Sequence, residues 1–421
     1  MMKSTPKILL VCFLFLVIWS LPLSGRDTGL TLWPGVALAQ AKPCPDVVKA
    51  ALATTDKKCA GAGRNKACYG NIALSAEAQP GTANVTFAKP GDTTNLTSLR
   101  TIRLSALNVS ANTWGIVVLR VQANLPDTAP GQNVTMLMFG DVGITDEPTG
   151  AALVSAAPAT APASAATTVA TMAATAGASA SSKPMQAFYF RTGIGDPACD
   201  EAPRDGILVQ SPQGSKQKVT LSADGTQLEL GSTIFLQAQA GTEMTVSTLE
   251  GSVAVTAFGK TETATAGTRV RVPLDASLNA SGTPTPPEIY DYGTMLALPV
   301  KSLPNKSVKI LVPKPPANAV SSKWRATFTT TFTSASCPSG TNTATLTFQM
   351  DPSGKTLWLS GAGPSGILTS TGQDTFSGVV ADPYFTIRLT MHFTSPTHAD
   401  GQGTYSGACA GSFKATYDKI S

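Results

Sequence analysis

Histidine is the commonest general base, and this chain has only His392 and His398. His398 stands two residues before Asp400 in Thr397-His398-Ala399-Asp400-Gly401, so an imidazole–carboxylate pair can be drawn there. The same run has turn composition, and solvated turn residues are the simpler reading. His392 falls on the polar side of an alternating segment. Four carboxylates, Asp196, Asp200, Glu201 and Asp205, surround Cys199 in a Pro/Gly-rich loop. A glycosidase needs only two carboxylates, and clustered carboxylates also bind calcium. Their spacing is not that of an EF-hand loop, however, and a solvated loop accounts for them. No G-x-S-x-G elbow, H-E-x-x-H helix or phosphate loop occurs. The expectation is therefore no catalytic, cofactor-binding or metal-ligating residue.

Cysteine chemistry is the stronger signal. Of seven cysteines, Cys12 lies in an N-terminal apolar run, leaving Cys44, Cys59, Cys68, Cys199, Cys337 and Cys409. An even number in an exported chain implies disulfides, whereas zinc is disfavoured by two histidines and no C-x-x-C pair. Locality pairs Cys44 with Cys59, Cys68 with Cys199, and Cys337 with Cys409. The last bridge would close a long loop, worth about 4 kcal/mol in the chain-entropy model.

Export is read from the first 39 residues. Lys3 and Lys7 precede an apolar stretch over residues 8–23, and Ala37-Leu38-Ala39 supplies a small-residue cleavage site. The stretch is short for a bilayer span of roughly 20 residues, which favours a cleaved signal over a retained anchor. No later segment is apolar enough to span, so an extracellular or cell-surface location is expected. The net charge of +5 falls toward neutral once Lys3, Lys7, Arg26 and Asp27 leave with the signal. No basic stripe is present, which argues against nucleic-acid partners.

The elements that must position these residues are β-strands. Charged residues make up 14% of the chain and aromatics 6%, with 37 Gly and 30 Pro, a balance that favours strands and turns over amphipathic helices. Residues 40–150 read as an N-terminal β-rich domain with a short Cys-bracketed helix near residues 45–52, completed by residues 183–206. Within it, residues 114–121 and 134–140 are continuous apolar runs, as expected of strands buried on both faces. Residues 151–182 are an uncharged Ala/Thr/Ser/Pro linker, read as disordered in preference to an alanine helix because of Pro158, Pro162 and the β-branched residues. Residues 207–275 form a second β module, residues 276–322 a Pro-rich extended spacer, and residues 323–421 an antiparallel β domain. In the last, Trp324, Ala326 and Phe328 alternate with polar residues, as do Ile387, Leu389, Met391 and Phe393, predicting a sandwich or small barrel. Asn84, Asn95, Asn108, Asn133, Asn279 and Asn305 begin Asn-x-Ser/Thr sequons, which indicate surface exposure at most.

The middle module carries a recognisable texture. Asp224-Gly225-Thr226-Gln227-Leu228-Glu229-Leu230-Gly231-Ser232, Leu249-Glu250-Gly251-Ser252-Val253-Ala254-Val255 and Ala266-Gly267-Thr268-Arg269-Val270-Arg271-Val272 combine period-two alternation with glycine turns. Residues 207–274 thereby resemble the FecR-type domain. The resemblance implies a compact β structure outside the cytoplasm, in some members coupled to iron-uptake signalling. The fold expectation is an all-β, multidomain chain. Its functional counterpart is a secreted or surface non-catalytic protein that binds a protein or polysaccharide, or takes part in envelope assembly. The alternatives are an extracytoplasmic sensor contacting a membrane partner, and a carboxylate-based carbohydrate hydrolase.

Overall fold

A computed structural model describes residues 43–421 apart from 83–84, 123–132, 147–186, 194, 213–217, 334–336 and 362. The export signal expected at 1–39 and the linker expected at 151–182 lie outside the described residues, as does Asn84. What is described is overwhelmingly β, as the composition implies. Two stacked sheets are followed by a closed barrel. Among the described residues, no helix is long and apolar enough to cross a membrane.

The first sheet has nine strands. From edge to edge they are Glu288–Ile289, Thr268–Pro273, Glu243–Glu250, Thr233–Gln239, Gly206–Gln210, Asn133–Phe139, Ile116–Gln122, Lys66–Asn71 and Thr93–Asn95. The second has eight: Lys260–Thr265, Ser252–Ala257, Thr226–Leu230, Val219–Ala223, Ala187–Thr192, Val142–Asp146, Leu99–Leu104 and Leu74–Ala78. Between them lies one continuous core in which Leu119, Met136, Val209 and Leu236 of the first sheet share a cluster with Ile144, Phe190, Leu221 and Val255 of the second.

Both sheets run straight through the position where a module boundary was expected at residue 207. Gly206–Gln210 pairs with Asn133–Phe139 on one side and with Thr233–Gln239 on the other. Val219–Ala223 likewise joins Ala187–Thr192, in a parallel pairing, to Thr226–Leu230. The FecR-like segment and the N-terminal segment therefore build one sandwich in common. Gly225, Gly251 and Gly267 do take the positive-φ turn conformations that the alternation pattern implied.

Burial of the two sheets explains the two textures in the sequence. The second sheet has one covered face, and Val219–Ala223 and Ser252–Ala257 alternate buried and half-buried positions. The first sheet is covered on both, so Ile116, Val117, Val118 and Leu119 are all buried. Its outer face packs Val118, Leu137, Phe139, Leu208 and Phe235 into a second cluster. Helix Cys44–Cys59 covers part of that face, with Pro45 and Asp46 in its first turn and Lys57 and Lys58 in its last.

The stretch expected to be an extended spacer, residues 276–322, covers the rest. It adds the edge strand Glu288–Ile289 and a single helical turn, Tyr292–Leu296. Tyr290, Tyr292, Met295, Leu298, Val300, Leu303 and Val308 are all buried. Tyr290 donates its hydroxyl to the Leu311 carbonyl at 2.6 Å, and the Asn305 backbone N–H donates to Gln210 Oε1 at 2.8 Å. The prolines limit its backbone freedom, but its apolar residues dock it as a strap. Val142–Asp146 and Ala187–Thr192 are neighbouring antiparallel strands of the second sheet, with Asp146 opposite Phe188.

Disulfide pairing differs from the locality rule in the N-terminal half. Cys44 bonds to Cys199 and Cys59 to Cys68, with Cα separations of 6.2 and 5.7 Å, while Cys337 bonds to Cys409 at 6.0 Å. Cys44 and Cys59 occupy opposite ends of a 16-residue helix, and at 1.5 Å rise per residue such ends are roughly 20 Å apart. Helix formation itself excludes the local pair.

The C-terminal barrel closes through eight antiparallel strands: Val320–Phe332, Gly340–Met350, Thr356–Gly361, Ser365–Gly372, Thr375–Ala381, Phe385–Ser395, His398–Gly407 and Gly411–Lys419. Trp324, Phe348, Phe376, Met391, Phe413 and Tyr417 fill its interior. Its outward positions are mainly Thr, Ser, Gln, Lys and Arg. This is the reverse of a membrane-spanning barrel, whose outer face is apolar. Gly403 faces inward, where an added Cβ would meet the Arg388 carbonyl and stand 2.8 Å from the Phe413 ring. The barrel is squeezed at that point, and only a residue without a side chain fits.

Two outcomes follow from this packing. Non-reducing digestion with mass spectrometry should recover Cys44–Cys199, Cys59–Cys68 and Cys337–Cys409 peptides; a Cys44–Cys59 peptide would contradict the helix geometry. Gly403→Ala should destabilise the barrel by about 1–3 kcal/mol through overpacking. Urea denaturation reads the loss, and an unchanged midpoint would show that the strands can separate without cost.

Candidate functional site

Strand alternation sends every second residue of the barrel outward, and the cross-strand register gathers those residues into a polar sheet face. Thr329 pairs with Lys414, Lys414 with Gln402, Gln402 with Thr390, and Thr390 with Ser377. A second row, Thr331, Ser412, Thr404 and Arg388, runs beside it. Ser377 and Thr390 share a hydroxyl hydrogen bond of 3.0 Å, and Thr329 and Thr341 one of 3.3 Å. This face is the floor of an open-sided cleft of about 1170 Å³.

The wall of the cleft comes from the sandwich side. The loop carrying Asp196, Pro197, Asp200 and Arg204 stands over the floor, together with Asp291 and Thr294 of the strap. Three connections set the distance between wall and floor. Cys199 ties the loop to the N-terminal helix. Arg388 Nε meets Asp200 Oδ2 at 2.6 Å. Trp358 of the barrel donates its indole N–H to the Pro313 carbonyl at 2.9 Å, and Trp358 and Ile367 join the apolar cluster beneath the strap. The ion pair is solvent-exposed and adds little stability, so its contribution is positional.

The carboxylates around Cys199 do not converge. Asp196 is held by Arg204 at 2.8 Å and Asp200 by Arg388, while Glu201 is exposed. Asp205 turns away into the sandwich, packed so close to Gly140 and Gly193 that a side chain at either would collide with it. Burial pushes its carboxyl up to about 6; the backbone N–H of Asp141 lowers it, and the Asp141 carboxylate raises it. Among the described residues, no group of three or more His, Cys, Asp or Glu is arranged to hold a metal ion. Asp196 and Asp200 of the loop are thus each engaged by an arginine.

The histidines sit on the barrel's outer face. His392 is exposed on the polar side of its strand, as alternation implied, with Nδ1 3.1 Å from Thr375 Oγ1. The turn expected around residues 397–401 is displaced. His398 begins a strand that continues through Asp400 and Gly401, and the reversal occupies Pro396 and Thr397. Gly401 serves packing rather than turning, since an added Cβ would stand 2.7 Å from the Tyr417 ring. His398 lies between two carboxylates, with Nδ1 2.7 Å from Asp418 Oδ1 and Nε2 3.6 Å from Asp400 Oδ1. The hydrogen bond to Asp418 raises its pKa above the ordinary histidine value; burial opposes the rise, and the charges of both carboxylates add to it.

The sequons contribute no ligand geometry. Asn108 closes a surface turn through Ser110 and Ala111, and Asn305 caps the strap through Ser307. The floor residues that sequence reading passed over, Lys414, Gln402 and Thr390, do carry a signal. Ser412, Lys414 and Thr416 alternate with Phe413, Ala415 and Tyr417. Alternation identifies them as outward; only closure and docking make that outward face one side of a cleft.

A two-sheet sandwich with a strapped outer face, carrying a closed barrel with an open cleft at the junction, is the architecture that the fold and site define. No family model and no curated protein matches the chain.

The histidine geometry has a measurable consequence. The raised pKa of His398 means that its ion pairs favour the folded state below the unfolded histidine pKa of about 6.5 and lose that effect as pH rises through the folded value. NMR titration should place His398 above the ordinary range, and Asp418→Asn should bring it down. An unchanged midpoint in that variant would assign the shift elsewhere.

Proposed function

We propose that this chain is a non-catalytic binding protein of the cell exterior, and that its barrel cleft receives an extended, hydroxyl-rich polymer such as a polysaccharide. The observation that carries this reading is the cleft floor. Thr329, Thr390, Gln402, Thr404 and Ser412 present hydrogen-bonding groups on adjacent strands, in register, to one open channel. Strands are spaced about 4.8 Å apart, a repeat of the same order as one sugar unit. A protein partner would call for aromatic or aliphatic anchors at the centre of the contact, and the residues named here offer hydroxyls and amides. Three disulfides support an oxidising compartment.

A non-catalytic role is supported by the wall carboxylates. Glycoside hydrolysis needs one carboxyl to donate a proton and another to attack or to activate water. Asp196 and Asp200 are instead engaged with Arg204 and Arg388. Residues 207–274, which carry the FecR-type resemblance, form a large part of the sandwich. In this proposal they act as scaffold for the wall and strap, with envelope assembly as the setting in which the bound polymer is used.

Affinity electrophoresis of the mature protein through gels containing soluble polysaccharides tests the reading. At least one polymer should retard migration, and Thr390→Val combined with Gln402→Leu should weaken that retardation about tenfold, as the loss of two neutral hydrogen bonds implies. A thermal melt checks that the variant is folded. Equal retardation of the variant would remove the cleft from the proposal, and release of reducing ends from the polymer would overturn the non-catalytic assignment.

A further inference from the structure

We infer that the polymer received by the cleft is anionic, and that Lys414 is the residue that reads its charge. The inference rests on the binding role proposed for the cleft and concerns the chemistry of its ligand. Lys414 stands on the floor, with Thr329 and Gln402 on the neighbouring strands and Ser412 and Thr416 before and after it on its own outward face. Its side chain is exposed to the channel.

The other cations of the cleft are committed to carboxylates, and Asp291 caps its own helical turn. Arg204 meets Asp196 at 2.8 Å, Arg388 meets Asp200 at 2.6 Å, and Asp291 accepts the Thr294 hydroxyl at 2.7 Å and its backbone N–H at 3.2 Å. Lys414 forms no ion pair among the described residues, so it is the cation left for a ligand. The magnitudes then decide what kind of ligand gains most. A neutral hydrogen bond that replaces one to water changes affinity by only about two- to tenfold, and the floor offers mainly those. A hydrogen bond between an ammonium and a carboxylate or sulfate changes it by about ten- to a hundredfold. The one aromatic ring that lines the cleft, Phe413, is buried in the barrel core, so stacking on sugar rings does not supply the difference. A hydroxylated chain bearing periodic acidic groups satisfies the hydroxyl rows and the lysine together.

The experiment compares polygalacturonate with the same backbone fully methyl-esterified, and adds alginate, dextran and dextran sulfate, all by affinity electrophoresis at fixed salt. Wild-type protein should bind at least one carboxylated or sulfated polymer about tenfold more tightly than the neutral polymers. Lys414→Gln should abolish that preference, Lys414→Arg should retain most of it, and Lys49→Gln, on the exposed face of the N-terminal helix, should leave it intact. Preference for polygalacturonate over dextran sulfate identifies carboxylate as the source of charge; the opposite order identifies sulfate. Equal binding of acid and ester, or full retention of preference by Lys414→Gln, would overturn the inference while leaving polymer binding in place. Retardation by none of the polymers would overturn the inference and the proposed binding role together.

Discussion

A β-sheet with apolar side chains on both faces cannot leave either face in water, and the nine-stranded sheet of this protein is such a sheet. Its inner face closes the sandwich core. Its outer face carries Val118, Leu137, Phe139, Leu208 and Phe235 and needs a cover of its own. Fully burying one Val, Leu or Phe side chain is worth about 1.5–3 kcal/mol, so leaving this face bare would forfeit much of the fold's driving force. The N-terminal helix and the proline-rich strap supply the cover. Cys44–Cys199 and Cys59–Cys68 tie that helix to a surface loop and to a strand of the sheet.

The position of the cleft follows from that cover. Because the strap is packed, it presents a fixed surface to the barrel, on which Trp358 and Ile367 dock. Docking there turns the Thr/Ser/Gln face of the barrel toward the 196–204 loop, and the Arg388–Asp200 contact spans the remaining gap. A flexible spacer would have left the barrel free to rotate, and its polar face would then have had no opposite wall. The binding role proposed for the cleft thus depends, several contacts away, on the demand of one sheet to be covered twice.

Much of this was legible in residue patterns where the physics is local. Continuous apolar runs at 114–121 and 134–140 announced doubly buried strands, and the alternation at 387–394 announced a half-buried one. Glycines at 225, 251 and 267 are turn residues because alternation stops on either side of them. Gly401 and Gly403 look the same in sequence yet lie inside a strand, because what they satisfy is the approach of Tyr417 and Phe413 across the barrel. That requirement comes from residues distant in the chain, and no window around the glycine contains it.

The chain by itself therefore determined the class of structure: all-β, with three disulfides and a C-terminal antiparallel domain that closes on itself. Composition and periodicity act residue by residue, so they survive reading in one dimension. Only the tertiary structure decided which cysteines meet, that the expected modules share two sheets, that the proline-rich stretch is a strap, and that Lys414 lies on the floor of a cleft. Each of these is a pairing between segments far apart in sequence. The free energy that selects it is the burial of a common apolar surface, which exists only once the partners have been brought together.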